Sequence, residues 1–214
     1  MREYHKIQSM FKRDMENKGK MLFGQWTLPE FEYLKDNAWV FTEKVDGTNI
    51  RVMFDGDEIR YNGKTDNAQL PGDLIQTLHK MFDPQLELFK ETFPATEGEE
   101  NSVCFYGEGY GAGIQKGGCY RPDKNFVLFD IKIGEMWLFR KDVEELAAKF
   151  GVDIVPVVGE GTLQDGIELA KNGYKSQWGD FIAEGIVARP KTELRTRRGD
   201  RLITKIKHCD FGSC

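Results

Sequence analysis

At 214 residues, the chain is long enough for one large domain or two small ones built on a substantial core. Its formal net charge of −5 argues against a protein that coats nucleic acid nonspecifically. No apolar run approaches the roughly 20 residues that span a bilayer, and the polar start of the chain lacks a signal-peptide core, so a membrane protein and a secreted precursor are both disfavoured. With no internal repeat and no low-complexity linker, the expectation is a single soluble cytoplasmic domain over 1–214. Cys104, Cys119, Cys209 and Cys214 form no Cys-x-x-Cys pair, so reduced thiols are expected. Cys209 and Cys214 with His208 do not match the spacing of a tetrahedral zinc site.

In chain order, the basic cluster Lys6, Lys12, Arg13, Lys18 and Lys20 is a weaker candidate for a phosphate-contacting surface, with an exposed N-terminal helix as the alternative. Strands are predicted at 40–44, 49–54, 58–62, 103–107, 126–133, 136–139, 154–157, 184–189 and 202–207. Their β-branched and aromatic content, bounded by Gly, Pro and Asp, carries that assignment. A helical stretch over 74–93 is interrupted by Pro84. The polar segment 95–102 reads as a loop. Asp142 caps a helix with Glu145 as its capping-box partner, and Val143, Leu146, Ala147 and Phe150 share one apolar face. A further helix over 163–172 stops at Gly173. Many strands, with helices outside a simple alternation, predict an α+β fold.

The run Glu43-Lys44-Val45-Asp46-Gly47-Thr48-Asn49 carries the most chemistry, because a lysine entering a strand two residues before Asp-Gly can attack phosphorus. Asp-Gly is also an ordinary hairpin signal, as at Asp55-Gly56. The order of the downstream motifs raises the first reading: Phe105-Tyr106-Gly107-Glu108, then Phe126 to Ile131 with Phe129-Asp130, then Glu184-Gly185-Ile186-Val187, then Lys205-Ile206-Lys207. This set resembles the covalent nucleotidyltransferase superfamily of ligases and capping enzymes. That superfamily's successive motifs are a nucleophilic lysine, a glutamate-bearing strand, an aromatic-Asp strand, a Glu-Gly strand and a Lys-x-Lys strand. The likeness spans about residues 40–207 and is greatest to the phage-type RNA ligase 2 family, since Asn49 stands where DNA ligases usually carry arginine. Lys64 stands where that family usually has arginine, which exchanges a bidentate fork for a point charge.

The resemblance implies an antiparallel-sheet nucleotidyltransferase domain of the ATP-grasp-like ligase type, an ATP and Mg²⁺ (or Mn²⁺) requirement, and RNA ends as partners, with DNA as the alternative. It implies a Lys44 phosphoramidate with AMP, Glu108 on the ribose hydroxyls, Phe129 stacked on adenine, Glu184 on a metal ion, and Lys205 and Lys207 on phosphates. Phe126, on the opposite strand face, is the competing ring. Asn49 would act near the α-phosphate or the RNA end, Lys64 and Gln115 would bind nucleotide or substrate, and Glu43 joins the nucleotide-binding set. Lysine attacks only as the free amine, and its ammonium has a reference pKa of about 10.4. Nearby cations such as Lys205, Lys207 and a bound Mg²⁺ disfavour the ammonium form.

Two further features remain. Six glycines, at 107, 109, 111, 113, 117 and 118, lead into a segment that is neither a Walker loop nor Gly-x-Gly-x-x-Gly, and that reads as backbone brought close to nucleotide or RNA. Arg189, Lys191, Arg195, Arg197, Arg198, Arg201, Lys205 and Lys207 read as a phosphate-contacting surface. Seven residues follow Lys207, so no C-terminal OB-fold is expected and an accessory protein would supply end binding. The alternatives are a minimal DNA ligase, a capping guanylyltransferase loading GTP, and a catalytically silent nucleic-acid-binding relative.

Overall fold

A computed structural model describes residues 3–94 and 102–212. The predicted loop over 95–102, apart from Ser102, and Cys214 of the zinc reading lie outside the described residues. The fold is mixed α+β with antiparallel sheets, and it divides into two compact units. The central-segment unit holds Asp46–Val155 together with Tyr4, and the end-segment unit holds His5–Val45 and the chain from Pro156 onward.

The end-segment unit opens with strands β1 (Gln8–Ser9), β2 (Phe11–Asp14) and β3 (Lys20–Trp26), helix α1 (Pro29–Tyr33) and strand β4 (Trp39–Glu43). The central-segment unit comes next, with β5 (Thr48–Phe54), β6 (Ile59–Asn62), α2 (Gly72–Phe82), α3 (Leu86–Thr92), β7 (Val103–Tyr110), β8 (Asn125–Ile133), β9 (Met136–Trp137) and α4 (Arg140–Lys149). The chain then returns for β10 (Val157–Gly161), α5 (Leu163–Asn172), β11 (Gly185–Pro190) and β12 (Thr204–Lys207).

In the central-segment unit the sheet order is β6-β5-β7-β8-β9, antiparallel throughout. Alternation puts Ile50, Val52 and Phe54 of β5 on one face with Val103, Phe105, Phe126 and Leu128, and the helices cover that face. Helix α2 offers Leu74, Leu78 and Phe82, four residues apart and all fully buried. It ends at Phe82 because Pro84, which has no N–H to donate, sits in the 3-10 turn Asp83–Gln85 before α3 resumes. The opposite sheet face is left to Asn49, Arg51, Tyr106 and Glu108.

In the end-segment unit the order is β1-β12-β11-β4-β10, antiparallel except for the parallel β1–β12 pair, and β2 and β3 form a separate hairpin. Helix α5 covers the sheet through Leu163, Ile167 and Ala170. Thr162 and Asp165 form its capping box. Gly166 lets the helix close on the sheet, since an added Cβ would lie 2.8 Å from the Phe41 ring.

Several predicted elements differ from those that form. The basic N-terminal segment is not a helix: β2 pairs with β3 in an antiparallel hairpin, and Met10, Phe11 and Met21 are buried in the end-segment core. The hairpin turns where Asp14 O accepts from Asn17 N and Gly19 N, with Gly19 at φ 70°. Helix α4 begins at Arg140 with Phe139 as N-cap, so Asp142 lies inside the first turn and no Asp142–Glu145 capping box forms. The early start is held by Arg140, which reaches both Glu144 Oε1 at 2.7 Å and Val155 O at 2.8 Å. The strand predicted over 154–157 shifts to β10, because Ile154 makes only an isolated bridge to Leu128. Strand β7 runs to Tyr110, past the predicted end at 107. No helix among the described residues is long and apolar enough to cross a membrane.

Candidate active site

Strand β4 delivers Lys44 immediately after its last paired residue, and Lys44 N donates to Gly185 O at 2.9 Å. The Lys44 ammonium then meets Glu184, Nζ to Oε2 at 2.6 Å, while Lys207 Nζ takes the other oxygen, Oε1, also at 2.6 Å. One carboxylate is thus held between two lysines. Its side chain is 13% exposed, against 18% for Lys44 and 35% for Lys207. On β12, Lys205 and Lys207 share a face while Ile206 points into the core, as the alternating pattern predicts. The glycine of the Glu-Gly pair has a steric reason: a Cβ at Gly185 would strike the Ile206 carbonyl oxygen and lie 2.7 Å from Lys207 Cα. That close crossing brings Glu184 beside Lys207.

Behind the clasp, Asp210 accepts from Lys207 N at 2.9 Å and from Arg13 at 2.8 Å, fixing the turn after Lys207. Glu43 is buried, with Ser176 Oγ donating to one oxygen at 2.6 Å and Gln177 N to the other at 3.0 Å. Burial pushes its carboxyl above the ordinary glutamate range, and the two hydrogen bonds offset part of that.

In the central-segment unit, Asn49, Glu108 and Val127 stand in one row across β5, β7 and β8. Asn49 Oδ1 is buried without a hydrogen-bond partner, an acceptor whose desolvation is uncompensated. Gly47 lies against this row: a Cβ there would sit 2.8 Å from Glu108 Cγ and strike Gly109 O. Gly107 and Gly109 are strand residues with neighbours in place of side chains, the Phe126 ring against the first and Leu74 and Ile50 against the second. The β7–β8 register steps from Tyr106↔Asp130 to Gly107↔Leu128, so Phe129 is the extra residue of a bulge. The bulge reverses which residues face the helices. Phe126 is fully buried in the core and edge-on to Phe82 at 5.6 Å, whereas Phe129 is only half-buried on the face away from the helices.

The loop 111–124 is well tied. Gly117 packs on the Gly111 backbone, Lys124 reaches Ala112 O and pairs with Asp73 at 2.9 Å, and Tyr120 Oη accepts from Asp46 N at 3.1 Å. Gln115 is exposed on this loop with φ 49°, and Lys64 is exposed on the 63–71 connection. Neither is drawn into the Asn49–Glu108 row. The basic stretch folds as a hairpin through Thr196 N to Asp200 O and Leu202 N to Leu194 O. Glu193 takes Arg201 at 3.0 Å and Arg195 at 3.7 Å, and Arg197 and Arg198 are exposed at the tip.

Four residues at these places escaped sequence reasoning: Arg51, Tyr120, Ser176 and Asp210. Arg51 was the most findable, a charge between Ile50 and Val52 in an apolar strand. It is fully buried and bonds Gly63 O at 2.9 Å and Asp66 at 2.7 Å. The other three act through loops whose approach no local pattern announces. Among the described residues no group of three or more His, Cys, Asp or Glu side chains converges as a metal cage.

A lysine clasped to a Glu-Gly strand and a Lys-x-Lys strand, in an antiparallel α+β fold with a glutamate-bearing strand behind Asp-Gly, defines the class of protein at hand. The RNA ligase family model matches residues 37–207, and the chain belongs to that family. Among solved structures it is similar to Naegleria gruberi RNA ligase. A mutant of that protein with AMP and Mn gives a TM-score of 0.66 at 17% identity, covering 99% of this chain and 60% of that one. A mutant with ATP and Mn gives 0.65 at 17%, covering 96% and 56%. The form with PPi gives 0.64 at 18%, covering 96% and 57%. The chain therefore shares that fold and spans less than two thirds of the length of those relatives.

Proposed function

We propose that the chain is an ATP-dependent RNA ligase, joining 5′-phosphate and 3′-hydroxyl RNA ends through a lysyl-AMP intermediate on Lys44. The observation that carries this reading is the Lys44–Glu184–Lys207 clasp, in a chain whose family model spans all three residues. Lys44 Nζ would form a bond to the α-phosphorus of ATP as the bond to pyrophosphate breaks and the amine gives up a proton. AMP would pass to the RNA 5′-phosphate, and the 3′-hydroxyl would then displace AMP as the phosphodiester forms. To attack, the amine has to leave Glu184. Lys205 and Lys207 would hold phosphate charge as pyrophosphate departs.

The residues fit a hard divalent cation, Mg²⁺ or Mn²⁺. Glu184 offers one carboxylate, and among the described residues no group of three or more acidic, His or Cys side chains closes a cage, which suits an ion that keeps waters and takes substrate phosphates as ligands. When bound, that ion supplies charge neutralisation at the phosphates. Glu108 would take the ribose hydroxyls, and the unpartnered Asn49 Oδ1 would receive a donor from nucleotide or RNA end. Phe129, on the face away from the core, would stack on adenine. Lys64, Gln115 and Glu43 remain in the binding set, Glu43 through the Ser176–Gln177 turn it anchors. On this reading residues 1–214 act as one nucleotidyltransferase domain in the cytoplasm.

A 5′-labelled RNA with a 3′-hydroxyl, incubated with ATP or GTP and Mg²⁺, tests the proposal. Sealed RNA with ATP alone is expected. Sealing of DNA in preference to RNA, loading of GTP, or no joining with either nucleotide each sinks the assignment.

A further inference from the structure

Tyr4 lies far from the catalytic motifs in sequence and outside the residues matched by the family model. It belongs to no strand, yet it is 7% exposed, and its hydroxyl donates to Asp130 Oδ2 at 2.7 Å. Its ring is edge-on to Phe129 at 5.0 Å and to Trp137 at 5.5 Å, and tilted on Tyr106 at 5.1 Å. One side chain therefore contacts both residues at the β8 bulge, one by packing and one by a hydrogen bond.

The bulge makes this contact consequential. Phe129 has no partner residue on β7, so the strand ladder does not fix it. Asp130, next in the chain, is a buried carboxylate that is costly without donors. Tyr4 supplies a donor to Asp130 and a ring edge to Phe129. We infer that Tyr4 is a positioning residue for base recognition: the Tyr4–Asp130 hydrogen bond and the Tyr4–Phe129 edge contact hold Phe129 in the orientation that receives the adenine ring. This inference rests on the reading of Phe129 as the stacking ring.

An edge-packed aromatic pair of this kind corresponds to about a three- to tenfold change in affinity for whatever the oriented ring binds. The test is equilibrium binding of α,β-methylene-ATP, whose bridging carbon prevents lysine from displacing pyrophosphate, and of inorganic tripolyphosphate, which has no base. The proteins are the full chain, Tyr4→Ala, Tyr4→Phe, Phe129→Ala and the Tyr4→Ala/Phe129→Ala double variant. Tyr4→Ala is expected to weaken the nucleotide by about three- to tenfold and leave tripolyphosphate unchanged. Tyr4→Phe, which keeps the ring and loses the hydroxyl, should fall between it and the full chain. The double variant should bind no more weakly than Phe129→Ala, because two residues acting through one ring are not additive. Nucleotide affinity unchanged in Tyr4→Ala but reduced in Phe129→Ala overturns the inference and leaves the stacking reading standing. Unchanged affinity in Phe129→Ala overturns both. Equal weakening of the two ligands in both Tyr4 variants, or additive losses in the double variant, also overturns it, since Tyr4 would then support the fold at large.

Discussion

Removing the charge of Glu184 should separate the two halves of the lysine clasp by energy. Both ammonium groups sit 2.6 Å from a carboxylate oxygen, so distance does not distinguish them; burial does. Breaking a buried pair by removing one partner costs about 3–5 kcal/mol, and an exposed pair is worth about 0.2–1 kcal/mol. Lys44, at 18% exposure, lies toward the first limit, and a coupling to Glu184 of about 1–2 kcal/mol is expected. Lys207, at 35%, is screened by solvent and should couple by about 0.5 kcal/mol. Urea unfolding of the full chain, Glu184→Gln, Lys44→Met, Lys207→Met and the two double variants gives both couplings as double-mutant cycles. High salt should erode the Lys207 coupling more than the Lys44 coupling. A Lys207 coupling equal to or larger than that of Lys44 would refute the reasoning that burial, at equal distance, sets the strength of the clasp.

Neutralising Arg197 and Arg198 at the hairpin tip should lower RNA affinity and flatten its salt dependence by about 0.7 per lost phosphate contact on single strands, leaving Lys44 adenylylation intact; Arg195→Ala should matter less, because Glu193 already engages it. Filter binding across a salt series decides this, and an unchanged slope marks the hairpin as ordinary solvated surface. Gly47→Ala should cost about 1–3 kcal/mol and depress AMP loading, since the new Cβ meets Glu108 Cγ and Gly109 O, and a loading rate equal to that of the full chain contradicts the close approach. Glu43 has a raised folded-state value, so its contribution to stability is full below the unfolded glutamate pKa and is lost as pH rises through the folded one. The stability of the full chain relative to Glu43→Gln should therefore fall with rising pH across that window in thermal unfolding, and a difference that grows instead reverses the sign of the burial effect.

Much of the sheet was legible because its strands are buried on one face or both and carry β-branched and aromatic residues, as in 49–54 and 126–133. The α5 boundaries were readable from the apolar period and Gly173. The order of motifs led to Lys44, Glu184 and Lys207, and the fold brings these three side chains together. Beyond that, local patterns fail where long-range packing decides. Gly109 falls beyond the strand end predicted at Gly107, yet it is a strand position where Leu74 and Ile50 occupy the space of a side chain. The strands β2 and β3 were masked by their lysines, because alternation of so few buried residues is a weak signal against a basic run. Strand parity puts Phe126 and Phe129 on opposite faces, as they are, but does not say which face meets the helices; packing decides that, with Phe126 in the core and Phe129 on the other face. Asp210 through Arg13, and Ser176 through Glu43, support the site by contacts between segments far apart in the chain, which leave no periodic trace.

The most direct test of the account is covalent loading. The full chain is incubated with α-labelled ATP and Mg²⁺, denatured, digested and mapped by mass spectrometry, alongside Lys44→Ala and Lys44→Arg. One AMP adduct on Lys44 is expected, acid-labile as a phosphoramidate, and none in either variant, because alanine has no amine and guanidinium stays protonated. An adduct on another lysine, or label retained by Lys44→Ala, would contradict the assignment of Lys44 as the nucleophile.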